Sequence, residues 1–135
     1  MKNKSISTIM TTNVVSVSPH QNLLDVKHIY ERKKFHHHIP VVENNKLVGM
    51  VSLIDFMYNI SGAGIKDDHK VYKELKVKDI MTPKPFYLTT ASTIEDTAKV
   101  LAKGNYHAIP ILENEGLAGI VSTADIIEYF LNENK

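Results

Sequence analysis

An α/β fold of the α+β type, built from two copies of one β-α-β-β-α unit, is predicted by three observations. The first is an internal duplication. His37-His38-Ile39-Pro40-Val41-Val42-Glu43-Asn44 sets above His107-Ala108-Ile109-Pro110-Ile111-Leu112-Glu113-Asn114 at an offset of 70. Between 37 and 55 ten of 19 positions are identical to their mates, where chance pairing gives about one. The second is periodicity, because short β-branched runs alternate with apolar residues at helical spacing. The third is length. Each copy has only about 60 residues and builds little core alone, so the copies are expected to pack pseudo-symmetrically through their sheets. Repeat 1 is placed at 6–60, a linker at 61–76, repeat 2 at 77–130 and a tail at 131–135.

Each copy opens on Ile-Met-Thr, Ile9-Met10-Thr11 and Ile80-Met81-Thr82, at an offset of 71. The runs Val14–Val17 and Phe86–Thr89 read as first strands. The next helix has Asn22 as N-cap with Asp25 three residues on, echoed by Thr93 with Asp96. Leu23, Val26, Ile29 and Tyr30 form its apolar stripe. Residues 39–42 and 47–51 are two strands joined by Glu43-Asn44-Asn45-Lys46. The mate of that turn, Glu113-Asn114-Glu115-Gly116, carries a glycine suited to positive φ. A last helix follows Ser52 and Ser122. Ser61–Lys70 is polar and glycine-bearing, as a hinge or loop is.

Composition narrows the function. Lys plus Arg is 16 against 15 for Asp plus Glu, a balance without the basic excess of a nucleic-acid or membrane-surface protein. No run of 18 apolar residues is present to span a membrane, and the N-terminus lacks the apolar stretch of a signal peptide. Cysteine is absent, which removes disulfides, thiolate catalysis and cysteine-bound zinc, and the expected location is cytoplasmic. No nucleophile elbow or zincin pattern occurs, so the chain is not read as an enzyme and no catalytic residue is assigned.

The order and spacing of Ile-Met-Thr, Ile-Pro and Gly-x-x-Ser-x-x-Asp (Gly49…Ser52…Asp55 and Gly119…Ser122…Asp125) resemble the CBS domain. The chain looks like a standalone tandem pair, or Bateman module. The resemblance implies a regulatory module that binds AMP, ADP, ATP or S-adenosylmethionine in a cleft between the repeats. It requires no other cofactor, forms a homodimer and signals energy or metabolite state to a regulated protein. It also implies sites that mix the copies. Ser122 and Asp125 would act with Thr11, Val15, His37, His38 and Ile39, while Ser52 and Asp55 would act with Thr82, Phe86, His107, Ala108 and Ile109.

The residues suit those roles. Gly49 and Gly119 let a ligand approach the strand backbone. Ser52 and Ser122 begin helices whose N–H groups favour an anion. Asp55 and Asp125 can accept from both ribose hydroxyls. Pro40 and Pro110 donate no backbone bond, which frees the neighbouring chain to read an adenine edge. Ser-x-x-Asp is also nearly a capping box, which explains both residues without a ligand. The family's Arg after His is missing from both copies, and positions 54 and 124 are apolar. These departures support two alternatives, a ligand-free dimerisation or interaction module and a His-based metal sensor. For the second, His36 and His38 share a strand face, but no acid or further His stands at ligand spacing, and no metal site is assigned. Tyr58, Tyr129 and Phe130 are read as core or dimer contacts.

Overall fold

The computed structural model describes residues 4–32, 37–60 and 70–133. The chain is a mixed α/β fold in which both repeats form the same helix, two-stranded hairpin and closing helix. Helix α1 (Leu23–Tyr30) is followed by β1 (His38–Glu43), β2 (Lys46–Ser52) and α2 (Leu53–Asn59). Short helices α3 (Val71–Glu74) and α4 (Val77–Ile80) lead to β3 (Thr82–Pro83). The second series is β4 (Leu88–Thr89), α5 (Ile94–Ala102), β5 (Ala108–Glu113), β6 (Gly116–Ser122) and α6 (Thr123–Glu133).

Two compact units cut across the repeats. One comprises Val15–Pro85, the other Met1–Val14 with Phe86–Lys135. The opening segment of each copy therefore belongs to the other copy's unit, and the bonds that hold it there are reciprocal. Ile6 N–H donates to Ser92 O at 2.9 Å and Ile94 N–H to Lys4 O at 2.9 Å. The mates, 71 residues away, do the same: Val77 N–H to Gln21 O at 2.8 Å and Leu23 N–H to Leu75 O at 3.0 Å. Ile6, fully buried, joins Ile94, Leu101, Ile109, Ile111, Val121 and Ile126 in one core. Val77 and Ile80 join Leu23, Val26, Ile39, Val41, Val51 and Phe56 in the other. The exchange is reciprocal, so each core keeps its size but is completed by apolar residues of the opposite copy.

Within each unit the hairpin has one geometry. The β1–β2 register shifts between Val41 and Val42, leaving Val48 as the extra residue; β5–β6 shifts between Ile111 and Leu112, leaving Ala118. Both turns place two central residues at positive φ, Asn44 and Asn45 at 51° and 66°, Asn114 and Glu115 at 52° and 70°. The expected role of Gly116 is thus corrected. Gly116 begins β6, and Glu115 takes the left-handed position that a two-residue primed turn requires.

The first strands are shorter than expected. Val14–Val17 reduces to one parallel bridge, Val17 to Val41, and Phe86–Thr89 to the two residues of β4. The reason lies in Ile-Pro. Pro40 and Pro110 have no N–H, so a parallel ladder cannot extend through them. Capping at α5 matches expectation, with Thr93 and Asp96 exchanging bonds of 3.0 Å. Those bonds from Thr93 hold the Asp96 carboxyl below its ordinary pKa, so the cap stands at neutral pH and is lost as pH falls through that lowered value. At α1 the N-cap Asn22 makes no side-chain cap bond, and Asp25 instead accepts from Gln21 Nε2 at 3.0 Å.

Of the 61–76 stretch, 61–69 lie outside the described residues. Within the remainder, α3 buries Tyr72, which stacks on Phe56 at 5.9 Å; Lys27, itself buried, lies over the Tyr72 ring and pairs with Glu31 at 3.2 Å.

Candidate functional site

Ser-x-x-Asp forms a reciprocal capping box in both copies. Ser122 N–H donates to Asp125 Oδ2 at 2.8 Å, and Asp125 N–H donates to Ser122 Oγ at 3.2 Å. Ser52 N–H donates to Asp55 Oδ2 at 3.2 Å, and Asp55 N–H donates to Ser52 Oγ at 3.0 Å. The serine hydroxyls and one oxygen of each carboxylate are therefore engaged in starting α2 and α6. The second oxygen, Oδ1, accepts no hydrogen bond among the described residues, and both aspartates are only partly buried. Capping thus leaves one carboxylate oxygen of each side chain unused. The charge of Asp55 also reaches inward. It adds to burial, the larger cause, in raising the pKa of the Tyr30 hydroxyl.

The fourteen residues of the expected sites divide evenly between the units. In the unit holding β5 and β6, Thr11 exchanges bonds of 2.9 and 3.0 Å with Ile120, two residues before Ser122. Ala108 lies opposite Ser122, and His107 O accepts from Thr123 N–H at 3.0 Å. Phe86 and Asp125 belong to the same unit, and the side chain of Ile109 is fully buried in its core. In the other unit Thr82 lies opposite Met50, two residues before Ser52. His38 lies opposite Ser52, and His37 O accepts from Leu53 N–H at 2.8 Å. Val15 and Asp55 complete this set, and Ile39 is fully buried. The family pairing, by contrast, takes Ser122 and Asp125 with Val15, His37, His38 and Ile39, which fall in different units. His36 lies outside the described residues, and among those described no group of three or more His, Asp or Glu is placed to hold a metal ion.

The motif glycines have a local purpose that sequence reading assigned to a ligand. A Cβ on Gly119 would stand 2.6 Å from Met10 Sδ and 2.7 Å from the Thr11 carbonyl oxygen. On Gly49 it would meet Met81, with Cγ at 3.0 Å and Cβ at 3.2 Å and Sδ closer still. Each glycine admits the exchanged Ile-Met-Thr segment. Likewise the Pro40 carbonyl already accepts from Val17 N–H at 3.1 Å.

Asp125 lines an open cavity of about 320 Å³ together with Ile9, Glu128, Tyr129, Asn132 and Glu133. Of these only Asp125 was legible as a site residue; Ile9 belongs to the Ile-Met-Thr motif but reaches this cavity only through the exchange, and the other four carry no motif. The lining holds three carboxylates and no basic group. It therefore repels phosphate and accepts hydroxyl or amine donors.

A family profile described as the CBS domain matches residues 6–62 and 77–132. Uncharacterized protein MJ0188 of Methanocaldococcus jannaschii is 31% identical over 125 residues, covering 90% of this chain and 42% of that protein. The chain spans less than half the length of the curated relatives MJ0188, zinc metalloprotease MJ0392 and CBSX1. Among solved structures, CBSX2 of Arabidopsis thaliana in complex with AMP superposes with a TM-score of 0.82 at 24% identity, covering 98% and 99% of the two chains. The CBS domain pair of MJ0100, in complex with 5′-methylthioadenosine and S-adenosyl-L-methionine, gives 0.77 at 17% identity over 96% and 98%. At these identities the likeness is one of fold. No helix among the described residues is long and apolar enough to cross a membrane.

Proposed function

The chain belongs to the CBS domain family, and we propose that it is a regulatory module that binds an adenosine-containing ligand without transforming it. One observation carries the reading: in both copies the capping aspartate keeps a carboxylate oxygen, Oδ1, without a partner among the described residues. Such an oxygen suits the hydroxyls of a ribose. Solved structures of similar fold hold AMP, S-adenosylmethionine or ATP, which supports the ligand class. The missing Arg and the acidic cavity beside Asp125 favour ligands with few phosphates, so AMP and S-adenosylmethionine rank above ATP. The other members of the proposed ligand set are Thr11, Thr82, Val15, Phe86 and the residues 37–39 and 107–109.

A thermal-shift series with AMP, ADP, ATP, S-adenosylmethionine, Zn²⁺ and Ni²⁺ tests it. A ligand at a hundred times its Kd adds about 2.7 kcal/mol to stability and raises Tm. Asp125→Asn keeps the cap through its amide oxygen but loses the charge and the second acceptor. Calorimetry should then show adenosine-ligand affinity reduced about ten-fold or more. Silence across the nucleotides assigns the chain to the interaction-module alternative, and a response to metal alone assigns it to a sensor.

The homodimer is part of the same proposal. Among residues read as core or dimer contacts, Tyr58 is 87% and Phe130 47% exposed, which removes both from the core. Ile54, Met57 and Tyr58 form an i, i+3, i+4 stripe on α2, and Ile127, Phe130 and Leu131 form one on α6. A second copy is the occupant we assign to these stripes. Sedimentation should find a dimer in the unaltered chain and a monomer in Phe130→Glu with Tyr58→Glu. A monomer in both would remove the assignment.

A further inference from the structure

We propose that Tyr106, stacked on Phe86, forms an aromatic platform that makes the ligand site prefer a purine base. The two rings lie 4.9 Å apart with planes 13° from parallel. Each remains more than a third exposed, 40% for Phe86 and 38% for Tyr106. A parallel pair of rings left in water is apolar surface without a covering, and a flat base covers such a surface by extending the stack.

The topology of this unit places the stack at the candidate site. Strands β4 and β5 are parallel, so the residues that lead into them, Phe86 and Tyr106, stand at one end of that pair. At the same end, Ala108 lies opposite Ser122, and His107 O holds Thr123 N–H at 3.0 Å where α6 begins. The stack, the backbone of His107 and the Ser122–Asp125 box thus occupy one edge of the unit. The first copy has Val15 where the second has Phe86, so this platform belongs to one copy.

The proposal rests on the adenosine-binding reading, and calorimetry on the full chain separates the two. With AMP, UMP and ribose 5-phosphate as probes, Tyr106→Leu should weaken AMP about ten-fold, leave ribose 5-phosphate unchanged and reduce the AMP-to-UMP preference. Tyr106→Phe should keep the AMP affinity of the unaltered chain, because it retains the ring. AMP affinity within two-fold of the unaltered chain in Tyr106→Leu, or an equal loss for ribose 5-phosphate, overturns the platform alone. Absence of binding by the unaltered chain to any adenosine ligand overturns both readings together.

Discussion

Gly119→Ala lowers the stability of the chain by about 1–3 kcal/mol, while Gly49→Ala costs less and is relieved when Met81 is shortened. The added methyl at 119 meets two obstacles of different stiffness. One is Met10 Sδ at 2.6 Å, the movable end of a flexible side chain. The other is the Thr11 carbonyl oxygen at 2.7 Å. That oxygen accepts from Ile120 N–H at 3.0 Å and sits in a residue whose own N–H donates back at 2.9 Å. Moving it breaks a bridge. At 49 the three nearest atoms all belong to the Met81 side chain: Sδ and Cγ can rotate away, and only Cβ, at 3.2 Å, is fixed by the backbone. Urea unfolding of the single and double variants separates the two sites through their coupling energies. The pair Gly49→Ala with Met81→Ala should recover most of the cost, and Gly119→Ala with Met10→Ala should not. Equal costs at 49 and 119, or full rescue at both, would show that the backbone contact is unimportant.

These glycines also mark how far sequence reading reaches. The duplication, the hairpins and the two helix caps after Ser52 and Ser122 are local properties, set by turn residues and by side chains three positions apart, and they are legible from spacing alone. Gly49 and Gly119 are equally visible, but their reason is not, because the atoms that need the space lie in Met81 and Met10, far along the chain. Val14–Val17 has the composition of a strand, yet the missing N–H of Pro40 on its partner leaves one bridge. Tyr72 stands in a polar stretch that reads as linker and is 1% exposed, since its burial depends on Phe56 and Lys27. In the candidate site, Ser-x-x-Asp is a motif legible from its own spacing. Tyr106 has no pattern around it and became visible only through the ring of Phe86.

Ile6→Ala, a change in the first repeat, should destabilise the unit built on the second by about 2–5 kcal/mol. Ile6 is fully buried among residues of α5, β5, β6 and α6, and its N–H holds Ser92 O at 2.9 Å. Truncation removes three carbons and leaves a cavity that the main-chain bond prevents the segment from closing by moving inward. Native-state hydrogen exchange locates the damage. Amides of α5 and the β5–β6 hairpin should exchange faster, with those of the β1–β2 hairpin protected as before. Val77→Ala is the mirror experiment. It should loosen the Val15–Pro85 unit instead, and by less, because valine loses two carbons where isoleucine loses three. Equal acceleration in both hairpins, or a loss confined to 38–52 in Ile6→Ala, would overturn the exchange. A swap of this kind ties the stability of each Ser–Asp box to the opening segment of the opposite repeat. Asp125 then depends on Ile6 and Met10, and Asp55 on Val77 and Met81, so neither repeat carries its candidate site alone.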